Sequence, residues 1–447
     1  MNPVTLSALE IVRPGDAGYD AARPAWNLAI DQRPAAVAIP RDADQVVAAV
    51  LYAKHEGLRV AAQGTGHNAS PLGDLSDTLL VKTHEMRGVE IDATNRVARV
   101  EAGALWGDVV AGAGEHGLAA LAGSSHDVGV VGYSLGGGIS FLARRYGLSA
   151  DRVLAAEIVT ADGELVRADR SLNQDLFWAL RGGGGAFGVV TAMEIELLDL
   201  PTVYAGAAFF EIERAAEALH AWRELTQRVD ECTTSVGRIL RVPPFEEIPE
   251  PFRGREFAMI EIIHIGDQRS GDDVVQAIRD LEPEIDTYGL IPSSALIHLH
   301  MDPPGPVPGK GEHHVAMETL PAAAIDAFVA ANGAGSGSHI LTAEIRHVGG
   351  AIARRDAGRG AAHLDAEYIS FAASIAATPE LAAKADHDLA QLDAALEPFG
   401  GARRYLNFTE VKSDATAFYE PTTLARLRAI KAQMDPENIF RSNQPLD

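Results

Sequence analysis

The sequence holds one cysteine, Cys232, in 447 residues. A single thiol excludes an intrachain disulfide framework and a cysteine-based metal site, and it suits a reducing compartment. Positive charge is also scarce: 38 Lys and Arg stand against 62 Asp and Glu, a formal net charge of −24 at pH 7. A surface that acidic repels phosphate backbones and anionic lipid, which argues against nucleic acid or a membrane surface as partner. There is no 18-residue apolar run, and no basic segment followed by an apolar core at the N-terminus. The expectation is therefore a cytoplasmic, soluble protein. No fixed-period repeat stands out.

What the sequence does have is apolar content, at 47%, and 43 glycines. The first supports substantial cores, and the length fits two domains or one large composite unit. Residues 34–57 read as a short strand, a turn and an amphipathic helix closed by Gly57. A strand follows in LRVAAQ. ARVEAGALWGDVVAGAGEHG is a strand and a helix ending at Gly117. Residues 153–166 are two β runs around Asp162-Gly163, a hairpin signal. DLFWALRGGGGAFGVVTAMEIELL is a short helix, a glycine run and a long strand. Past Pro201, AAEALHAWRELTQRVD and ELAAKADHDLAQLDAALEPFG are amphipathic helices, and FAMIEIIHIG and SHILTAEIRHV are strands. TTLARLRAIKAQM is a helix that stops at Asp435-Pro436. The class is α+β: residues 1–198 form a glycine-rich domain, and residues 199–400 a second domain, an antiparallel sheet with helices on one face. Residues 401–447 form a C-terminal segment.

Within 59-RVAAQGTGHNASPLG-73, Gly64-Thr65-Gly66-His67-Asn68-Ala69 fits G-x-G-x-x-A, the dinucleotide fingerprint, and Glu85 stands near the position of a ribose-binding acid. That fingerprint requires a helix to follow. Pro71 and Gly73 forbid one, and Leu79-Leu80-Val81 read as the next strand. The unit is a strand–loop–strand whose tip can still bind phosphate through backbone N–H groups. Two more glycine-rich stretches follow, at 123–147 and 181–190. Each alone fits tight turns; the three together point to an extended ligand, such as a dinucleotide, lying against bare backbone.

These motifs carry a resemblance over essentially the whole chain: G-x-G-H-N at 64–68, V-G-x-x-G-x-x-x-G-G-G at 128–138, R-x-Y-G-L at 144–148, D-L-F-W-A-L-R-G-G-G at 175–184, F-G-V-V-T at 187–191, Y-L-N-F at 405–408 and D-P-E-N-I-F at 435–440. The chain resembles the berberine bridge enzyme-like FAD-linked oxidases, of the vanillyl-alcohol oxidase (PCMH-type) flavoprotein superfamily. The resemblance implies a two-domain PCMH-type fold, with the C-terminal segment returning to the FAD domain. It implies that the loop Gln63, Gly64, Thr65, Gly66, His67 and Asn68 cradles the FAD pyrophosphate, and that the ring of His67 bonds covalently to the flavin 8-methyl carbon. Read from the residues alone, His67 could equally be a loop histidine or a metal ligand. The further cofactor contacts it implies are Ser124, Ser125, Val128, Gly129, Gly132, Tyr133, Gly136, Gly137, Gly138, Val190, Tyr405, Asn407 and Asn443. Many relatives tether the flavin a second time through a cysteine. Ser125 stands at that position, so the chain resembles the bacterial, singly tethered members. Val128 falls beside the flavin C4a, where a small side chain leaves room for O2.

On the substrate side, Glu344 and Arg346 share one face of a strand, Ile345 and His347 the other. A charged pair in so apolar a stretch is either solvated or functional. The resemblance lays this strand over the flavin, where Glu344, Tyr405 and Asn407 would meet as catalytic groups with Arg346 beside them. Phe408 replaces a tyrosine common in relatives, which leaves Tyr405 as the motif's phenol. A carboxylate screened there from water is expected to carry a raised pKa, partly offset by Arg346. His298, His300, His313 and His314 lie in a Pro/Gly-rich stretch, a poor cage for a metal. They read as the polar rim of an entrance loop, with no metal. The function expected is hydride transfer from a small-molecule alcohol, amine or sugar to the flavin N5, with O2 as acceptor and H2O2 as product, in a monomer or homodimer. A flavin dehydrogenase with another acceptor, and a non-catalytic flavin-binding protein, are the rivals.

Overall fold

The computed structural model describes residues 9–354 and 358–447, with every side chain there except those of Glu312 and His313. Three large sheets organise the described residues, beside a two-stranded pair, Leu118–Ala119 and Leu198–Asp199. The first has five strands in the order Glu10–Val12, Ala36–Ile39, Thr78–Lys82, Arg59–Gln63 and Phe440–Arg441. Its last four strands run parallel. The helix Ala43–Glu56 makes the crossover from Ala36–Ile39 to Arg59–Gln63, which lie on either side of Thr78–Lys82. Asp42 caps its first turn by accepting from the Gln45 N–H, and Gly57 closes it in the left-handed region. The second sheet is antiparallel, in the order Val89–Asp92, Val97–Glu101, Val189–Glu196, Val153–Val159 and Leu165–Asp169. The turn expected at Asp162-Gly163 joins its last two strands.

The third sheet has eight strands, all antiparallel. At its centre Thr233–Arg241 pairs with Glu256–His264 on one side and Thr342–His347 on the other. Register decides what each face carries, because paired residues share a face. Ile239, Ile260, Ala343, Ile345 and Tyr368 point to the helices Ala215–Thr226, Ala322–Asn332 and Pro379–Leu396 and form one apolar core. The opposite face carries Val236, Ile263 and Ile369, which pack on Ile139, Phe141, Leu142 and Leu148 from the glycine-rich stretch at 123–147. Arg238, Glu261, Glu344 and Arg346 share this second face through the pairings Arg238↔Glu344, Val236↔Arg346 and Val236↔Glu261. The sheet thus presents charges towards the residues expected to hold the cofactor. Among the described residues no helix is long and apolar enough to cross a membrane.

The strand–loop–strand reading of 59–82 holds. Pro71 enters a short 3-10 turn, Ser70–Leu72, and the next strand follows without an α-helix. The chain's C-terminal part then closes this sheet. The helix Pro421–Met434 ends at Asp435, whose buried carboxylate accepts from the N–H groups of Ile439 and Phe440, each at 2.9 Å, and from Lys431. That turn delivers Phe440–Arg441 to the strand Arg59–Gln63. Replacing Asp435 with alanine strands two buried N–H donors and removes the carboxylate beside the Lys431 ammonium, which keeps its bond to the Phe440 carbonyl. We expect Asp435→Ala to lower unfolding free energy by about 2–4 kcal/mol, read from urea unfolding; a loss below about 0.5 kcal/mol would remove Asp435 from this role.

Candidate active site

The loop after the strand Arg59–Gln63 turns at Gly66, where φ is 90°. A Cβ there would lie 2.8 Å from Gln63 Nε2 and 2.9 Å from Ala25 Cβ, so only glycine fits. The turn presents His67 to the stretch 123–129. Its Nε2 lies 3.3 Å from Asp127 Oδ1 and 3.2 Å from the Asp127 carbonyl oxygen. The indole of Trp26 stacks on the imidazole at 3.9 Å between centroids and donates its Nε1–H to Asp127 Oδ2 at 2.5 Å. Ser125 donates to Asp127 Oδ1 at 2.8 Å. Burial pushes the Asp127 carboxyl up, but the hydrogen bonds from His67, Trp26 and Ser125 outweigh it and hold it down to about 2. His67 is therefore fixed in orientation by a permanently ionised carboxylate. Sequence reasoning named neither Asp127 nor Trp26; Trp26 lies far from the motif in the chain, and Asp127 was passed over between Ser125 and Val128.

Several of the other residues expected at the cofactor gather near this loop and form one side of a groove. Asn68 donates to the Thr409 carbonyl at 3.3 Å, and the Asn443 side chain donates to the Asn68 carbonyl. Asn407 donates to the Tyr133 carbonyl at 2.9 Å and to the Tyr405 hydroxyl at 3.1 Å. The Gly138 N–H donates to the same hydroxyl at 2.8 Å. A Cβ at Gly136 would collide with Asn407 Oδ1, which is why that position is bare. Thr65 approaches Gly129, and Val128 is half-buried beside them. Val190 sits in the apolar core with Val130 and Val131. The stretch at 181–190 packs against protein: the Gly184 N–H donates to the Leu135 carbonyl, and the Gly182 carbonyl accepts from Tyr419. Several buried polar atoms along the groove have no protein partner, namely both amide atoms of Gln63, Asn68 Oδ1 and the Tyr133 hydroxyl. Donors and acceptors left over beside a glycine turn fit a ligand carrying phosphate and carbonyl oxygens, as FAD does.

Facing this groove, the large sheet carries a chain of buried ions. Glu344 and Glu261 are fully buried and Arg346 is 9% exposed. Arg346 Nε donates to Glu344 Oε1 at 2.5 Å. His300 Nδ1 lies 2.8 Å from Glu261 Oε2, and its Nε2 lies 2.8 Å from Glu344 Oε2, an ion-pair contact rather than an aligned hydrogen bond. Arg238 reaches Glu261 at 3.2 Å and donates to the His300 carbonyl at 3.0 Å. Burial and Arg238 push the His300 imidazole down, yet the two carboxylates prevail and lift it to about 9. Burial likewise pushes Glu344 up, but Arg346, His300 and Arg238 hold it well below the usual carboxylate range.

Of the two alternatives for the pair Glu344–Arg346, solvated or functional, burial removes the first. Two expectations change here. Glu344 has a lowered pKa, not a raised one, because His300 and Arg238 join Arg346 as counterions. His300 and His314 are buried and bonded rather than rim groups, and the His314 Nε2 accepts from the Tyr405 N–H at 2.5 Å. His298 is exposed as expected, and the His313 side chain lies outside the described residues. Tyr405 and Asn407 meet directly, whereas Glu344 reaches them only through Arg346 and Phe408. The Arg346 guanidinium lies 5.3 Å from the Phe408 ring centroid, and that ring lies 5.1 Å from the ring of Tyr405. Burial raises the Tyr405 phenol well above its ordinary value despite the hydrogen bonds from Gly138 and Asn407. It is a neutral group at physiological pH, which removes it as a resting base.

Because the folded protein holds the His300 proton to about pH 9 while an unfolded chain releases it near pH 6.5, that contribution is complete below about pH 6.5 and disappears as pH rises through 9. Wild type should lose on the order of 1–3 kcal/mol of unfolding free energy over that interval beyond what His300→Gln loses. Parallel pH profiles for the two proteins in urea would show that His300 is not the titrating group.

Two family models match the chain: an FAD binding domain over residues 34–169 and a berberine and berberine-like segment over residues 404–447. The (R)-6-hydroxynicotine oxidase of Paenarthrobacter nicotinovorans is 30% identical over 98% of this chain and 96% of its own length. A chitooligosaccharide oxidase of Gibberella zeae is 26% identical over 94% of this chain and 89% of its own length. The crystal structure of 6-hydroxy-D-nicotine oxidase from Arthrobacter nicotinovorans superposes with a TM-score of 0.84 at 25% identity, covering 100% of this chain and 99% of that one. The likeness runs over essentially the whole of both chains, and the chain belongs to the berberine bridge enzyme-like FAD-linked oxidoreductases.

Proposed function

We propose that this FAD-dependent oxidoreductase is an oxidase of small alcohols, amines or sugars that carries its flavin on a single bond to His67 and returns the electrons to O2. The observation that carries the reading is the fixed His67: Trp26 covers one face of its ring and Asp127 occupies Nε2, which leaves Nδ1 as the nitrogen free to bond. Ser125, in place of a cysteine, offers no second tether. Gln63, Asn68, Tyr133 and Asn443, with the backbone of 64–66 and 129, would hold the cofactor. Bound FAD supplies a two-electron acceptor for a substrate hydride and a route from there to O2.

The protein's own groups then have separate tasks. Tyr405 accepts two N–H bonds at its oxygen, so its remaining O–H is directed as a donor to a substrate or cofactor oxygen. Glu344 is a fixed negative charge able to accept an O–H or N–H bond from substrate. With its pKa so far down it orients that proton rather than keeping it. Asn407 positions Tyr405. Phe408 and Phe371, 4.7 Å apart between centroids, add an apolar wall that excludes water. The small Val128 supports O2 over another acceptor.

Adding substrates to the yellow protein without air should bleach it, and air should restore the colour with H2O2 formed; colour that returns only with an artificial acceptor would favour a dehydrogenase. On an acid-denatured gel the wild-type band should fluoresce, and His67→Ala should release its flavin on precipitation. Flavin still bound covalently in His67→Ala would defeat the tether. Val128→Leu should slow air reoxidation at least about tenfold, an effect of about 1.4 kcal/mol on that barrier, with anaerobic reduction little changed. Equal reoxidation rates would sink the role of Val128.

A further inference from the structure

Arg346 is a buried cation of this site whose bonding is incomplete. It is 9% exposed, and only its Nε is engaged, with Glu344 Oε1. Among the described residues its two terminal NH2 groups have no acceptor. Arg144, also buried, shows the contrast: its guanidinium donates to the carbonyls of Thr233, Val348 and Asp230. A buried guanidinium with unused donors is costly unless something accepts from it. Arg346 is nonetheless held firmly, tied by Glu344 at one edge and lying over Phe408. Its charge also acts on the Tyr405 phenol.

Arg238, His300 and Arg346 stand against Glu261, Glu344 and Asp302, so charge is balanced and what remains open is the hydrogen bonding of Arg346. A planar fork with free, pre-oriented donors suits a planar two-oxygen anion.

We propose that Arg346 is the carboxylate-binding residue of the substrate pocket, and that the substrate is a small organic acid bearing an oxidisable hydroxyl- or amino-substituted carbon, such as a hydroxy acid or a sugar acid. This rests on the oxidase reading above. For a hydroxy acid the C–H gives up a hydride and the O–H a proton, the carbon becomes a carbonyl, and O2 takes the two electrons and two protons as H2O2. The carboxylate stays unchanged and serves as the handle.

The test uses holoenzyme and two readouts. The first is anaerobic flavin reduction by matched pairs: galacturonate against galactose, and mandelate against 1-phenylethanol. The acid of at least one pair should reduce the flavin with a KM at least about tenfold below that of its neutral partner, and Arg346→Met should raise that KM by about 100-fold, more than it lowers kcat. The second readout needs no turnover: benzoate, with benzamide as control, titrated against the flavin absorbance. Wild type should bind benzoate and not benzamide, Arg346→Met should bind neither, and Arg346→Lys should recover part of the affinity. Neutral partners preferred throughout, or benzoate and benzamide equally bound or equally ignored, would overturn the proposal. Bleaching by a neutral compound would then leave the oxidase reading standing. A flavin that no compound bleaches sinks the oxidase reading, while selective benzoate binding still upholds the anion site. Should Arg346→Met fail to fold, seen as lost flavin, the wild-type benzoate–benzamide comparison decides alone.

Discussion

The compensation of charge beneath the large sheet is what the rest of the site depends on. Glu261 and Glu344 have no exposed surface, and each would be expelled from such a position if unpaired. They are kept by Arg238, His300 and Arg346, which alternate with them in sign. Removing one member leaves its neighbour as an uncompensated buried charge, so the set behaves as a unit. It also fixes the distance between the sheet and the segment 298–302. Asp302 of that segment is bonded to Ser124, which extends the network to the cofactor side. The ion chain therefore joins the two halves of the groove.

Much of the architecture could be read in the sequence because local rules governed it. Gly57 and Asp42 bracket a helix in the ordinary way, Asp162-Gly163 turns a hairpin, and Pro71 forbids the helix that a dinucleotide fingerprint would need. The loop around His67 was likewise legible, because glycines at fixed spacing mark a backbone that must turn within a few residues. The site's electrostatics were not. Glu261 lies within the apolar run FAMIEIIHIG, and nothing local separates a carboxylate facing solvent from one facing His300. The pairings Val236↔Glu261 and Arg238↔Glu344 bring these groups together, and register is a property of the whole sheet. The sign of the Glu344 shift was misjudged for the same reason: one counterion was visible two residues away, and two more came from elsewhere in the chain.

The two sides of the groove use different means of precision. On the FAD-binding side, backbone does the shaping, with Gly66 and Gly136 clearing space for Ala25, Gln63 and Asn407. On the sheet side, rigid strands hold long side chains whose ends are locked by ion pairs. Asp127 joins both modes, since one carboxylate fixes a tryptophan, a histidine and a serine that arrive from three parts of the chain.

The C-terminal closure of the first sheet has a consequence for biosynthesis. The Arg441 guanidinium donates to the carbonyls of Leu72 and Asp74, Asn443 donates to the Asn68 carbonyl, and Phe440 pairs with Val60. These contacts brace the turn that bears His67, and they cannot exist until residues 440–443 have left the ribosome. A nascent chain with its first two hundred residues already exposed still lacks one wall of the groove. A flavin held against that turn gains its full brace only once residues 440–443 are in place.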